Sequence, residues 1–253
     1  MIGLPFAGDG LVHAGLLGLG ILAALLFYAC EKRWRGLSDP RLWPIAGFAV
    51  AFGAIGSRVL TWDVSRQVSL ADWWENGDLS ILAGLVGAWL GVHLGKRLTH
   101  YGESTRDLLA PAVALVLVIG CVGCLLTELP GTPGGGAWGI TLTPGQAAML
   151  GGRPGEGLHP SFAYEIQFHV AAFALMWRYR DRLPHPGDLF ICYVTSYALF
   201  RSGVKVVRGN ELFWPGMSRP QCFLLMILPL LLWRMLRDSG NHSAQSRKEE
   251  WHE

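Results

Sequence analysis

Seven apolar runs constrain this chain more than any other feature: 11–29, 43–60, 79–95, 108–126, 161–177, 189–207 and 222–236, with charged residues gathered between them. A hydrocarbon layer of ~30 Å needs about 20 apolar residues in a helix, and most of the runs approach that length. The third and fifth are shorter and need polar flanks within the membrane. No segment shows the alternating pattern of about ten residues that barrel strands require, so helices are the expected spanning element. The predicted fold is all-α, a polytopic membrane protein of seven transmembrane helices. One membrane domain covers 1–237, and a polar tail at 238–253 is expected to be disordered. Hydrophobic residues make up 51% of the chain. Its mean hydropathy is nevertheless only +0.32, which calls for sizeable polar loops between spans.

The basic residues set the orientation. Lys32, Arg33, Arg35 and Arg41 fall on one side, as do Lys96, Arg97 and Arg106, then Arg178, Arg180 and Arg182, and finally Arg234, Arg237, Arg247 and Lys248. These fourteen of the 21 Lys and Arg residues put that side in the cytoplasm, the N-terminus outside and the C-terminus inside. The first ten residues carry no Lys or Arg, so they lack the basic region of a cleaved signal peptide, and the first span is expected to stay. The outer loops are the longer ones. Residues 61–78 are acidic and rich in Trp, while 127–158 are dominated by Gly, Pro and Thr, which predicts turns and little regular structure.

Polar residues inside the spans point to a site. His159, Ser161, Tyr164 and Glu165 cluster at the mouth of the fifth run, and the rest of that run, 166–177, has no formal charge. Ionisable groups at such depth are costly unless paired or hydrated, so they mark function. Seven basic residues run against the topological bias: Arg58, Arg66, Arg153, Arg201, Lys205, Arg208 and Arg219. Tyr197, Arg201, Lys205 and Arg208 are spaced to share one helical face. Like charges so close need an anion or an acid opposite them, and a forked guanidinium suits phosphate. Snorkelling to the outer headgroups explains Lys205 and Arg208 well but Arg201, which lies deeper, poorly. Arg58 ends the second run, and Asn76 and Ser80 open the third at the same level. The arrangement predicts a pocket open to the outer leaflet and suited to an anionic lipid headgroup. The inner half offers almost no polar residues, which argues against a transport path.

Five cysteines, Cys30, Cys121, Cys124, Cys192 and Cys222, all lie in or beside spans. Cys121 and Cys124 have redox-motif spacing, yet in an apolar helix two small polarizable side chains read as packing. No metal-ligand spacing or nucleotide-binding glycine motif is visible. No metal, cofactor or nucleic-acid partner is expected.

With these residues in place, the chain resembles the prolipoprotein diacylglyceryl transferase family of bacterial inner-membrane enzymes. The family's histidine-proline-serine/threonine…tyrosine-glutamate motif matches His159, Pro160, Ser161, Tyr164 and Glu165. Asp107-Leu-Leu-Ala-Pro111, Gly123-Cys124, Gly131 and Trp138-Gly139 match the fourth helix and the stretch after it. Tyr197…Arg201…Arg208 matches its tyrosine-arginine-arginine helix, Asn76-Gly77…Ser80…Gly84-Leu85 its third span, and Gln221 the start of its last. The resemblance implies transfer of the diacylglyceryl group of phosphatidylglycerol to the cysteine thiol of a lipoprotein precursor, with release of glycerol phosphate. It implies catalytic roles for Arg201, Glu165 and His159, the last as acceptor of the thiol proton or as a cap on its helix. Arg58, Asn76, Ser80, Tyr164, Tyr197, Lys205 and Arg208 would bind the substrate.

The chain departs from the family pattern at several positions. Leu82 stands where the third span has a histidine, Cys121 where the fourth has an arginine, and Lys205 where the sixth has an acid. Ala14, beside His13, stands where the first span has a tyrosine. Three readings remain open: a transferase with a rearranged pocket, a lipid-headgroup transferase acting on another acceptor, or a non-catalytic lipid-binding protein.

Overall fold

The computed structural model describes residues 4–59, 80–134, 136–180 and 187–208, with residues 69, 182 and 229. Seven helices are formed there: α1 (Gly10–Trp34), α2 (Leu42–Val59), α3 (Ile81–Leu98), α4 (Arg106–Thr127), α5 (Pro144–Leu150), α6 (Ser161–Tyr179) and α7 (Asp188–Arg208). Six of them correspond to the first six apolar runs. The seventh run, the loop at 61–78 apart from residue 69, and the tail at 238–253 lie outside the described residues. Among the described residues all regular structure is helical, with two isolated β-bridges. By length and composition α1, α2 and α4 are able to cross a membrane.

The chain divides into two compact units, 1–31 with 104–253, and 32–103. In the first, α4 packs along α6, and α7 lies against both. Asp9 starts α1, its carboxylate accepting from the backbone N–H groups of Leu11 and Val12 at 3.0 and 3.1 Å. Phe27 of α1 meets Phe173 and Trp177 of α6, with ring centroids 5.3 and 5.4 Å apart. Beside them, buried Glu31 pairs with Arg180 at 3.3 Å. Asp107, in the first turn of α4, accepts from the backbone N–H groups of Gly187 at 2.5 Å and Phe190 at 3.2 Å. A carboxylate from one helix thereby satisfies donors at the start of another, α7.

The segment between α4 and α6 is more ordered than its Gly, Pro and Thr content predicts. Gly136–Trp138 forms a turn of 3₁₀ helix, and α5 follows. Thr143 caps α5, Pro144 opens it, and Gln146 returns a bond to the Thr143 backbone N–H, a complete capping box. Two bridges then pair Leu158 with Pro133 and with Ile140. Thr132 donates to the Val207 carbonyl through its backbone N–H at 2.8 Å and its hydroxyl at 3.0 Å, and its own carbonyl accepts from His159 N–H at 2.9 Å. Ser161 donates to the Pro130 carbonyl. The segment ties the start of α6 to the end of α7. Gly131 sits at the crossing, where a Cβ would lie 2.6 Å from the Val207 oxygen and 2.7 Å from that of His159.

The second unit is a helical hairpin of α2 and α3. Its backbones approach through glycines: a Cβ on Gly56 would lie 2.7 Å from the Ala83 carbonyl oxygen and 2.9 Å from Gly87 Cα. Such small-residue contacts hold helices together where a lipid solvent supplies no hydrophobic drive. At one end, Arg41 makes a forked pair with Asp39, at 2.6 Å from Nη2, and lies over the Tyr101 ring. Hydrogen bonds from Arg41 hold the exposed Asp39 carboxyl below the usual carboxylate range. Its contribution to folding is therefore present above the unfolded-state pKa and lost as pH falls through the lowered folded value.

Candidate functional site

Glu165 is the hub of the first unit's polar interior. It lies on α6, fully buried, and its carboxylate accepts from groups on α7. Arg201 Nη1 donates to Oε1. Arg208 Nη1 reaches the same oxygen at 3.3 Å, and the Tyr197 hydroxyl donates to Oε2 at 3.3 Å. Tyr197 and Arg201 are buried as well, at 1% and 5% exposure. The spacing that puts Tyr197, Arg201 and Arg208 on one face of α7 thus delivers them to one carboxylate. An isolated ion at such depth is costly, and a carboxylate held between two guanidiniums is the arrangement that offsets that cost.

The arrangement leaves cationic donors over. Arg208 bridges onward to Glu128 at 3.5 Å, and its guanidinium lies 4.3 Å from the centre of the Phe162 ring. Arg201 Nε is buried and has no hydrogen-bond partner among the described residues. A buried N–H left unpaired costs about 1–3 kcal/mol, more on a charged group, so this donor is poised for an acceptor.

His159 stands at the entrance to α6, fixed by the Thr132 bond to its backbone. Its Nδ1 lies 3.2 Å from the Tyr164 hydroxyl, and Trp138 covers both rings at centroid distances of 5.6 and 6.3 Å. The N-cap of α6 is Pro160, without a side-chain capping bond, so the His159 side chain does not cap the helix and is turned to Tyr164 instead.

In the other unit, Ser80 caps α3, its hydroxyl accepting from Ala83 N–H at 3.3 Å, and its backbone N–H donates to the Ser57 carbonyl at 2.8 Å. That bond brings Ser80 beside the last turn of α2, which carries Arg58. Asn76 and the Lys205 side chain lie outside the described residues.

Two residues close to the hub, Glu128 and His169, escaped the sequence reading, and a third, Cys121, was marked there by the family pattern alone. Cys121, read as packing, is buried with its Sγ 3.9 Å from Glu165 Oε2. Glu128, which shares Arg208, sits just past the end of α4. His169 lies one turn beyond Glu165, fully buried, with Nδ1 2.9 Å from the Tyr193 hydroxyl. Its i+4 spacing from Glu165 was the available signal.

Comparison with known proteins bears on this geometry. The family model for prolipoprotein diacylglyceryl transferase matches residues 12–236. The chain belongs to the prolipoprotein diacylglyceryl transferase family. The phosphatidylglycerol–prolipoprotein diacylglyceryl transferase of Dehalococcoides mccartyi is 29% identical over 231 residues, covering 85% of this chain and 84% of the relative. The proteins of that name from Mycobacteroides abscessus and Geobacillus kaustophilus are 30% and 27% identical, covering 81% and 92% of this chain and 69% and 91% of their own lengths.

Cys121 brings a thiol to Glu165, and among the described residues both cations on that carboxylate come from α7. Leu82, where the pattern has a histidine, is an apolar residue buried in the α2–α3 hairpin. Neither position supplies a base or a cation.

Proposed function

We infer that this protein moves the diacylglyceryl group of phosphatidylglycerol to the cysteine thiol of a lipoprotein precursor, in the bacterial inner membrane. Seven spans, with the N-terminus outside and the C-terminus in the cytoplasm, follow from the charge distribution. The observation that carries the reading is Arg201: a buried guanidinium, oriented by Glu165, whose Nε has no partner among the described residues and suits an anionic oxygen. Phosphate is the acceptor a guanidinium fork fits best.

In the proposed reaction the thiolate sulfur attacks the glyceryl carbon, a C–S bond forms and the C–O bond to phosphate breaks. Glycerol phosphate leaves with the electron pair. The growing charge on the leaving oxygen needs donors already in place, and Arg201 and Arg208 supply them. Glu165 keeps the two cations together against their mutual repulsion. Tyr197, bonded to Glu165, fixes the carboxylate. His159, exposed enough to meet an acceptor and held by Tyr164, takes the thiol proton. Arg58, Asn76, Ser80 and Lys205 are assigned to the headgroup on sequence grounds.

The test is expression of the full chain in cells depleted of their own transferase. A prolipoprotein gaining a diacylglyceryl group supports the reading, and its loss on Arg201→Ala locates the anion clamp. A chain present and folded in the membrane that leaves the precursor unmodified contradicts it.

A further inference from the structure

A second polar cluster lies one guanidinium away from the hub. His13, in the first turn of α1, Cys124 on α4 and Glu128 just beyond α4 each offer a ligand atom within 4.8 Å of the other two. His13 Nε2 is 3.9 Å from Cys124 Sγ, and Nδ1 is 3.3 Å from Glu128 Oε1 and 3.5 Å from the Thr127 hydroxyl. Cys124 is buried, whereas His13 and Glu128 keep 18% and 39% of their side-chain surface exposed, which leaves a way in for an ion. We propose that His13, Cys124 and Glu128 bind a divalent ion of the zinc class, with an open fourth position that takes the acceptor thiol.

The donor chemistry selects the ion. A thiolate, an imidazole and a carboxylate suit zinc and its neighbours rather than magnesium or calcium. Bonds of about 2.0–2.3 Å in a tetrahedron place ligand atoms about 3.5 Å apart, and with one donor atom from each residue the three already lie within 4.8 Å of one another, so small side-chain rotations close the set. Nε2 faces the thiol, so Nδ1–H remains for the Thr127 hydroxyl at 3.5 Å, the outer-shell bond that orients a ligating imidazole. Three protein ligands are the arrangement of a catalytic zinc. A neighbouring trio, Cys121, Glu165 and His169, also converges, but its carboxylate is held by Arg201 and Arg208, and a dication there would face both. Among the described residues one arginine, Arg208, faces Glu128, and it keeps Glu165 as its other partner when Glu128 turns to the metal.

This inference rests on the transferase reading and deepens its acceptor side. Coordination deprotonates a thiol, and the metal-bound thiolate remains a nucleophile toward carbon. The proton passes to the base, His159 in the reading above. The sulfur forms the C–S bond, glycerol phosphate departs, and the thioether, a poor ligand, leaves the metal. Arg208 joins Glu128 to Glu165, so the bound thiolate is delivered beside the proposed phosphate clamp.

The test uses the purified, metal-stripped full chain in detergent, titrated with Co²⁺ alone. One equivalent binds with a thiolate-to-cobalt charge-transfer band, and Zn²⁺ displaces it. The band is lost in Cys124→Ser and kept in Cys192→Ser, an exposed cysteine on α7. Glu128→Gln keeps the band and weakens cobalt binding by roughly tenfold or more. Absence of stoichiometric cobalt, or a band that survives Cys124→Ser in a chain that elutes as a single species, overturns the proposal. Transfer activity separates the two readings. A stripped chain that transfers at full rate refutes the metal's role and leaves the transferase intact. Cobalt bound at the triad of a chain that transfers nothing upholds the site and refutes the transferase.

Discussion

At the scale of single residues, one buried carboxylate gathers the polar groups of the proposed site. Glu165 is bonded to Arg201, Arg208 and Tyr197, so replacing it with glutamine leaves a buried and a half-buried cation to repel each other. Breaking a buried pair costs about 3–5 kcal/mol. Glu165→Gln is expected to lower the melting temperature in detergent and reduce transfer by at least ~100-fold. A variant with wild-type rate and stability would show that the hub is incidental. His159 has a separable role. Its imidazole faces Tyr164 and caps nothing, so His159→Gln should keep the fold and the lipid affinity while kcat falls by about 100-fold or more. Measuring kcat and KM separately checks this, since a purely structural residue would move both with the melting temperature.

At the scale of elements, the segment between α4 and α6 positions the residues that α6 and α7 carry. Thr132 clasps the Val207 carbonyl beside Arg208 and the backbone of His159, and Gly131 permits that crossing because no Cβ fits. Gly131→Ala is expected to destabilise the protein by about 1–3 kcal/mol and to depress transfer, as overpacking does. Gly145→Ala, where a Cβ meets nothing within 4 Å in α5, should be neutral or slightly stabilising in the same thermal melts. Equal effects of the two changes would show that the crossing is not what positions the site. This segment also marks the limit of sequence reading. Thr143, Pro144 and Gln146 spell a capping box, yet the surrounding glycines and prolines mask it. The crossing itself depends on contacts between residues 75 apart, which no local pattern shows.

At the scale of the whole molecule, apolar runs fix most of the architecture. Six of the seven runs appear as helices in their places because a run of that length has one way to satisfy its backbone in lipid. Half of the site was readable for the same reason. Tyr197, Arg201 and Arg208 recur at helical spacing, and Glu165 breaks an apolar run. Cys124 and His13 were not readable as a pair, since each looks like an ordinary residue of an apolar helix until α1 and α4 are packed. The orientation is a separate prediction. With the native cysteines replaced, a cysteine at Arg153 should react with an impermeant maleimide in intact spheroplasts, and one at Gly102 only after lysis. The reverse pattern would invert the assigned topology and turn the site toward the cytoplasm.

The most direct test of the central claim is a reaction with purified components. The full chain is mixed with phosphatidylglycerol vesicles and a precursor peptide bearing its cysteine, and thioether product and glycerol phosphate are counted together. The two should appear in equal amounts with the native chain and fall by roughly 10²–10³-fold with Arg201→Lys, which keeps a positive charge but loses the fork. A folded chain that yields neither product, or an Arg201→Lys variant that transfers as fast as the native one, would contradict the assignment of Glu165 and Arg201 as the catalytic pair.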